Sequence, residues 1–247
     1  MTRLCNAIPS PRRTALLLGL LVASACSDAE RPDGAPGAPP PEPPLPPPAE
    51  AFSEMETGLL DATALRVEFQ VTATGSLTAE MSGLLLVGGS GRARLEAAGT
   101  FGGDPVDVFL VSDGQRMRLS SNGTTVESET PPALGEALVL GLTRMGVLHN
   151  LARLVAGQAP DHAEGGPDEW ILATDFGRNG RAITFALEVE GTRTGAAELF
   201  VAPVAGVPGE RRQTVSFPDG DMEVVERYGA VSLGGGWDEA AFVLQEG

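Results

Sequence analysis

The sequence predicts a mainly β fold with inserted helices (α+β), an antiparallel sheet curled round a helical segment. Three observations carry that expectation. Apolar and polar residues alternate over many short runs, Asp-Gly and Asn-Gly pairs punctuate them, and one long central stretch switches to a helical period. Hydrophobic residues make up 42% of the 247 and aromatics 5%, so a core must be built mainly from Leu, Val and Ala.

A short amphipathic run over 51–64, "AFSEMETGLLDATA", leads in. "LRVEFQVTA" then alternates, with Leu65, Val67, Phe69 and Val71 on one face and Arg66, Glu68, Gln70 and Thr72 on the other. "GLLLVG" is shorter and almost wholly apolar. "RARLEAAGTF" sets Ala93, Leu95, Ala97, Gly99 and Phe101 against Arg92, Arg94 and Glu96. "VDVFLVSDGQRMRLSSNGTTVES" reads as a meander whose Asp-Gly and Asn-Gly pairs supply the positive φ angles of tight hairpins. Asn122-Gly123-Thr124 also spells a glycosylation sequon, and is read here as a turn.

The period changes over "PPALGEALVLGLTRMGVLHNLARLVAGQAP", which opens with prolines and closes at Gly157 and Pro160 as one helix or a pair should. Leu134, Leu138, Leu142, Met145 and Ala152 form one stripe; Val139, Leu140, Val147, Leu151 and Leu154 widen it. A helix apolar nearly all round must be covered on more than one side. Gly135, Gly141 and Gly146 weaken it and invite breaks. Strand patterns resume with "WILATDF", "AITFALEVE", "AAELFVAP", "RRQTVSFP" and "MEVVERYGAVSL", and the chain ends "GWDEAAFVLQEG".

Ahead of this unit, residues 1–13 carry three arginines, "TALLLGLLV" is a short apolar core, and Ala23-Ser24-Ala25 precede Cys26. That is an export signal too short to span a membrane stably. The segment resembles a bacterial lipoprotein leader, with "VASAC" as the lipobox and Ala23 where Leu is usual. Ala23-Ser24-Ala25 also satisfies the A-x-A site of the ordinary signal peptidase. Position favours the lipoprotein: Cys5 leaves with the leader, and Cys26 then has no disulfide partner. The resemblance implies a diacylglyceryl thioether on Cys26 and a further amide-linked chain such as palmitate, enough for stable anchoring. Ser27 is not the acidic residue that favours inner-membrane retention, so the expected location is the outer membrane, facing the periplasm. Residues 32–48 hold ten of the 20 prolines, a polyproline II stalk able to reach roughly 70 Å from Cys26. A PxxP ligand is the functional alternative for this tract. The expected organisation is a signal peptide over 1–25, the lipidated Cys and linker over 26–50, and a folded domain over 51–247.

Over about residues 52–245 the order of elements resembles the LolA/LolB-like family of envelope lipoprotein carriers. The resemblance is carried by the helical lead-in, "ALRVEFQVTATG", the "VSDGQRMRL" strand-turn-strand, the central helical insert and a closing "DEAAFVL". It implies an incomplete antiparallel β-barrel with a helical plug or lid, enclosing an apolar cavity for acyl chains. The cavity expected is lined by Phe69, Leu95, Leu110, Phe185 and Leu187 beneath a helix bearing Leu138, Leu142 and Met145.

Charge excludes one class of partner. The net charge is -16, and without residues 1–25 it would be -19, a surface that repels nucleic acid and anionic headgroups. Motifs for catalysis are absent: no HExxH, no Cys pair, no G-x-S-x-G, and "GGSGR" at 88–92 lacks the Lys and Ser/Thr of a phosphate loop. His149 lies in the apolar helix and reads as a packed or surface histidine; His162 falls in a loop. Asp219, Asp221 and Glu223 could face one side of a strand and hold Ca²⁺, but Pro218-Asp219-Gly220 reads better as a turn opening a solvent-facing strand. "GERR" at 209–212 reads as a solvated turn. The expectation is no enzyme, no cofactor and no metal, with three functions open. These are a lipid-anchored protein binding or carrying acyl chains or lipoproteins, an envelope interaction or sensor module binding a protein or peptide, and a structural lipoprotein without ligand.

Overall fold

The computed structural model describes residues 44–160, 171–202, 206–235 and 238–244. Cys26, the leader, most of the proline-rich tract and His162 lie outside the described residues. The folded unit spans Leu45–Gly247.

Pro48 opens α1 (Pro48–Leu60), where the missing N–H costs nothing. One face of α1 buries Phe52, Met55, Glu56 and Leu59, at the spacing that brings residues above one another on a helix. Six strands follow as a meander: β1 (Ala64–Gly75), β2 (Ala79–Gly88), β3 (Arg92–Phe101), β4 (Asp104–Asp113), β5 (Arg116–Ser121) and β6 (Thr124–Glu129). The turns are those the Asp-Gly and Asn-Gly pairs predict. Asn122 and Gly123 have φ of 48° and 80°, and Gly114 has 98°. Asp113 accepts from the backbone N–H groups of Arg116 and Gln115, which hold its carboxyl below the usual range.

The chain then crosses through α2 (Leu134–Leu140), a π-helical turn (Gly141–Met145) and α3 (Val147–Val155). It returns as a second meander of β7 (Ile171–Asn179), β8 (Ala182–Val189), β9 (Thr192–Val201), β10 (Pro208–Phe217) and β11 (Gly220–Leu233), closed by a 3₁₀ turn (Glu239–Phe242). All strands join one antiparallel sheet in the order β6-β5-β4-β3-β2-β1-β11-β10-β9-β8-β7. The meanders therefore meet at β1 and β11, and β6 and β7 remain edges. Register shifts in β1·β11, β7·β8, β8·β9 and β9·β10 bend the sheet. α2 packs on β2 and β3, and α3 on β4 and β5, so the helices fill the inside of the curve. This is an incomplete antiparallel barrel with a helical plug.

The core is continuous between sheet and helices, and aromatic contacts fasten α1 to it. The Phe52 ring lies 5.0 Å from that of Phe185 and 5.1 Å from that of Phe176, centroid to centroid. Gly83 is paired with Phe69 across β1 and β2, and a Cβ on it would come within 2.6 Å of that ring. The "GERR" run is corrected here. It lies in β10, and Arg211, read as part of a solvated turn, is fully buried at 0% exposure because its parity on the strand points inward.

Candidate ligand groove

The groove depends on a break in the helical crossover. Gly146 has φ of 85°, and a Cβ there would stand 2.6 Å from Glu226 Oε1, so only glycine suits the position. Such a break strands carbonyls at the end of one helical piece and N–H groups at the start of the next. The inward face of β10 and β11 answers both. Arg211 Nη1 donates to the Thr143 carbonyl at 2.6 Å, and Nη2 donates to that of Arg144. Glu226 Oε2 and Oε1 accept from the N–H groups of Val147 and Leu148, each at 2.8 Å. A carboxylate at the first turn of a helix also complements the helix dipole.

Tyr228 donates to Glu226 Oε2, and burial pushes its hydroxyl well above its ordinary range, with the Glu226 charge adding to the effect. Burial also lowers the Arg211 guanidinium, opposed by Tyr228 and Glu226. A second pin comes from α1. Arg144 binds both Glu56 oxygens, at 3.0 and 2.7 Å, and Thr143 Oγ1 donates to Glu56 at 2.7 Å.

Fixed in this way, the start of α3 presents Leu148, His149 and Ala152, preceded by Met145, to one side of a groove of about 330 Å³. The facing wall is the inward side of β10 and β11: Gln213, Val215, Met222 and Val224. Leu77, Val189 and Thr194 complete it, and Ser216 and Phe217 form an exposed lip, Phe217 at 45% exposure. No Asp, Glu or Arg occurs among the described residues that line it.

Larger depressions exist but have another character. One of about 400 Å³ beside α1 carries Arg178, Arg181 and Glu54, and the chain's own Leu45 and Pro46 enter it, with Arg178 donating to the Pro46 carbonyl at 2.5 Å. One of about 780 Å³ has Arg66, Glu68, Glu210 and Arg227 in its wall. The apolar groove is distinguished by chemistry, not by size.

Phe69, Leu95, Leu110, Leu138, Leu142, Phe185 and Leu187 all belong to the packed core. Met145, half-buried, lines the groove. His149 lines it too. Asp219 and Asp221 are exposed around the β10–β11 turn, and Glu223 accepts from Thr214 Oγ1 at 2.9 Å. Among the described residues no three His, Cys, Asp or Glu side chains gather where they could hold a metal ion. Of the residues that position the helices, Arg211 is reached from the sequence only as part of a solvated turn, and Glu226 and Tyr228 not at all.

No family model matches the sequence, and no curated protein matches it. Solved structures do. The chain is similar to a LolA superfamily protein from Nitrosomonas europaea at 7% identity and a TM-score of 0.39, over 81% of this chain and 99% of that one. It is similar to MucB at 16% identity and a TM-score of 0.35, over 80% of this chain and 63% of MucB. The Pseudomonas aeruginosa MucA/MucB complex matches at 15% identity and a TM-score of 0.34, over 80% of this chain and 61% of the matched chain.

Proposed function

We propose that the protein is a lipid-anchored envelope protein that holds an acyl chain in the groove between α3 and β10–β11. Cys26 carries the anchor, the proline-rich tract is the stalk, and the folded domain works in the periplasm at the outer membrane. The observation that carries the binding reading is the uncharged lining, in a chain whose net charge is -16. An apolar trough of this kind is kept from collapsing by the pinned start of α3, and burial of a chain in it contributes about 25 cal/mol per Å² of apolar surface. The exposed Phe217 at the lip gives an entering chain an apolar first contact.

The test is native mass spectrometry with lipid extraction on the mature chain, made in a bacterial periplasm behind a cleavable export signal with Cys26→Ser. Lipid co-purifying at close to one per protein is expected. A protein that emerges empty and fails to take up a fluorescent fatty alcohol in solution would sink the reading, and protein partners would become the target of the search.

A further inference from the structure

Of the four side chains that face α3 across the groove, Gln213 alone is polar. It stands between Arg211 and Val215 in the inward row of β10, opposite Val224, and is 4% exposed, so its amide must find partners inside. Arg211 supplies one: its Nε donates to Gln213 Oε1 at 3.0 Å. A guanidinium has donors only, so the amide oxygen must face it and the amide nitrogen must face away.

Arg211 is itself immobilised. Its Nη1 and Nη2 are committed to the Thr143 and Arg144 carbonyls, and its guanidinium lies 5.3 Å from the centre of the Phe185 ring. Gln213 is therefore gripped by its oxygen, while its Nε2 has no hydrogen-bond partner among the described residues. That nitrogen is not sealed in, and the open space on the inward side of β10 at Gln213 is the groove. The other polar side chains do not duplicate it. Thr194 Oγ1 gives its proton to the Leu187 carbonyl at 3.4 Å, Ser216 stands on the exposed lip, and His149 borders the groove from α3.

Resting on the acyl-chain reading above, we propose that Gln213 is the specificity-determining residue of the groove, its Nε2 donating to a carbonyl oxygen of the ligand. The ligand class is an acyl ester, amide or ketone whose carbonyl is buried together with its chain. A bare hydrocarbon expels the water that serves this N–H pair and puts nothing in its place, so it is disfavoured as an analogue lacking the expected acceptor is.

The test uses three neutral or cationic probes of similar length, 2-undecanone, 1-chlorodecane and decylamine, each displacing a fluorescent alkyl probe from the Cys26→Ser chain. It is run at pH 8, where an alkyl ammonium is protonated. Gln213→Glu keeps an oxygen for Arg211 and turns the groove-facing donor into an acceptor. Gln213→Met removes the donor without replacing it. The ketone is expected to bind roughly tenfold more weakly to Gln213→Glu and several-fold more weakly to Gln213→Met, with 1-chlorodecane within about twofold in both. Decylamine should gain in Gln213→Glu only. In the unaltered side chain, the carbonyl stretch of bound, ¹³C-labelled 2-undecanone should fall below its frequency in hexane, a reading that needs no folded variant.

A stretch at the hexane frequency, or ketone affinity unchanged in both folded variants, would overturn the role of Gln213 and leave the acyl-chain reading standing. Equal weakening of all three probes would mean that Gln213 only shapes the groove through Arg211, and would overturn the selection. Displacement by none of the three from the parent chain would overturn the acyl-chain reading and the selection with it.

Discussion

Arg211 and Glu226 are cross-strand partners on the inward face of β10 and β11, and each addresses a different side of the break in the helical crossover. Arg211 donates to the carbonyls before the break, and Glu226 accepts from the N–H groups after it. One buried pair thereby satisfies both ends of an interrupted helix.

Removing one member leaves the other charge buried with orphaned backbone groups beside it. Glu226→Leu is expected to destabilise the fold by about 3–5 kcal/mol in urea unfolding. Arg211→Met combined with it should cost clearly less than the sum of the single changes, since the two share one network.

Gly146→Ala sets a methyl against the Glu226 carboxylate at a φ that side chains rarely adopt. A loss of about 1–3 kcal/mol is expected. Amide exchange should quicken first at Val147 and Leu148, whose N–H groups depend on that carboxylate.

Tyr228 sets an alkaline limit. Its folded-state value is raised by burial and by Glu226, so above the ordinary tyrosine range the folded chain retains a proton that the unfolded chain has lost. Stability is fully present below about pH 10 and falls as pH rises further, by about 1.4 kcal/mol per pH unit. Tyr228→Phe should flatten the fall, measured as urea midpoints from pH 8 to 11.5.

Groove occupancy can be probed without touching the network. Ala152→Trp fills the space from α3 with an apolar side chain and should abolish lipid co-purification while the circular dichroism spectrum is unchanged. Phe217→Asp at the exposed lip should leave Tm within a few degrees and weaken alkyl-probe binding several-fold.

Anchoring is a separate matter. Cys26→Ser in the full chain should move the protein from the membrane to the soluble fraction and end incorporation of labelled palmitate. Unchanged membrane association would sink the anchor at Cys26.

Much of the fold is legible in particular residues. Period-two runs such as Leu65, Val67, Phe69 and Val71 mark both the strand and its buried face, and Asn122-Gly123 marks the β5–β6 hairpin. Gly141 and Gly146 sit where the helical segment changes form. The pinning network was harder to see because its members are polar. Yet the parity of Met222, Val224, Glu226 and Tyr228 places a carboxylate in an inward row, and that row was the available signal. Reading "GERR" as a turn hid the same signal in Arg211, Gln213 and Val215. Which apolar residues fill space and which border it depends on how far α3 stands from β10. No local pattern encodes that distance.

The seam between the two meanders joins Leu65 to Leu233, residues from nearly opposite ends of the folded chain. Every other strand pair links neighbours in sequence and can zip up as soon as its hairpin exists. On the ribosome, the first meander can therefore form and wait, its β1 edge bare, until the last strand has been made. Closing that seam carries the largest loop entropy in the sheet, and it is the step at which a stalled or clipped chain would be left with an unpaired, association-prone edge.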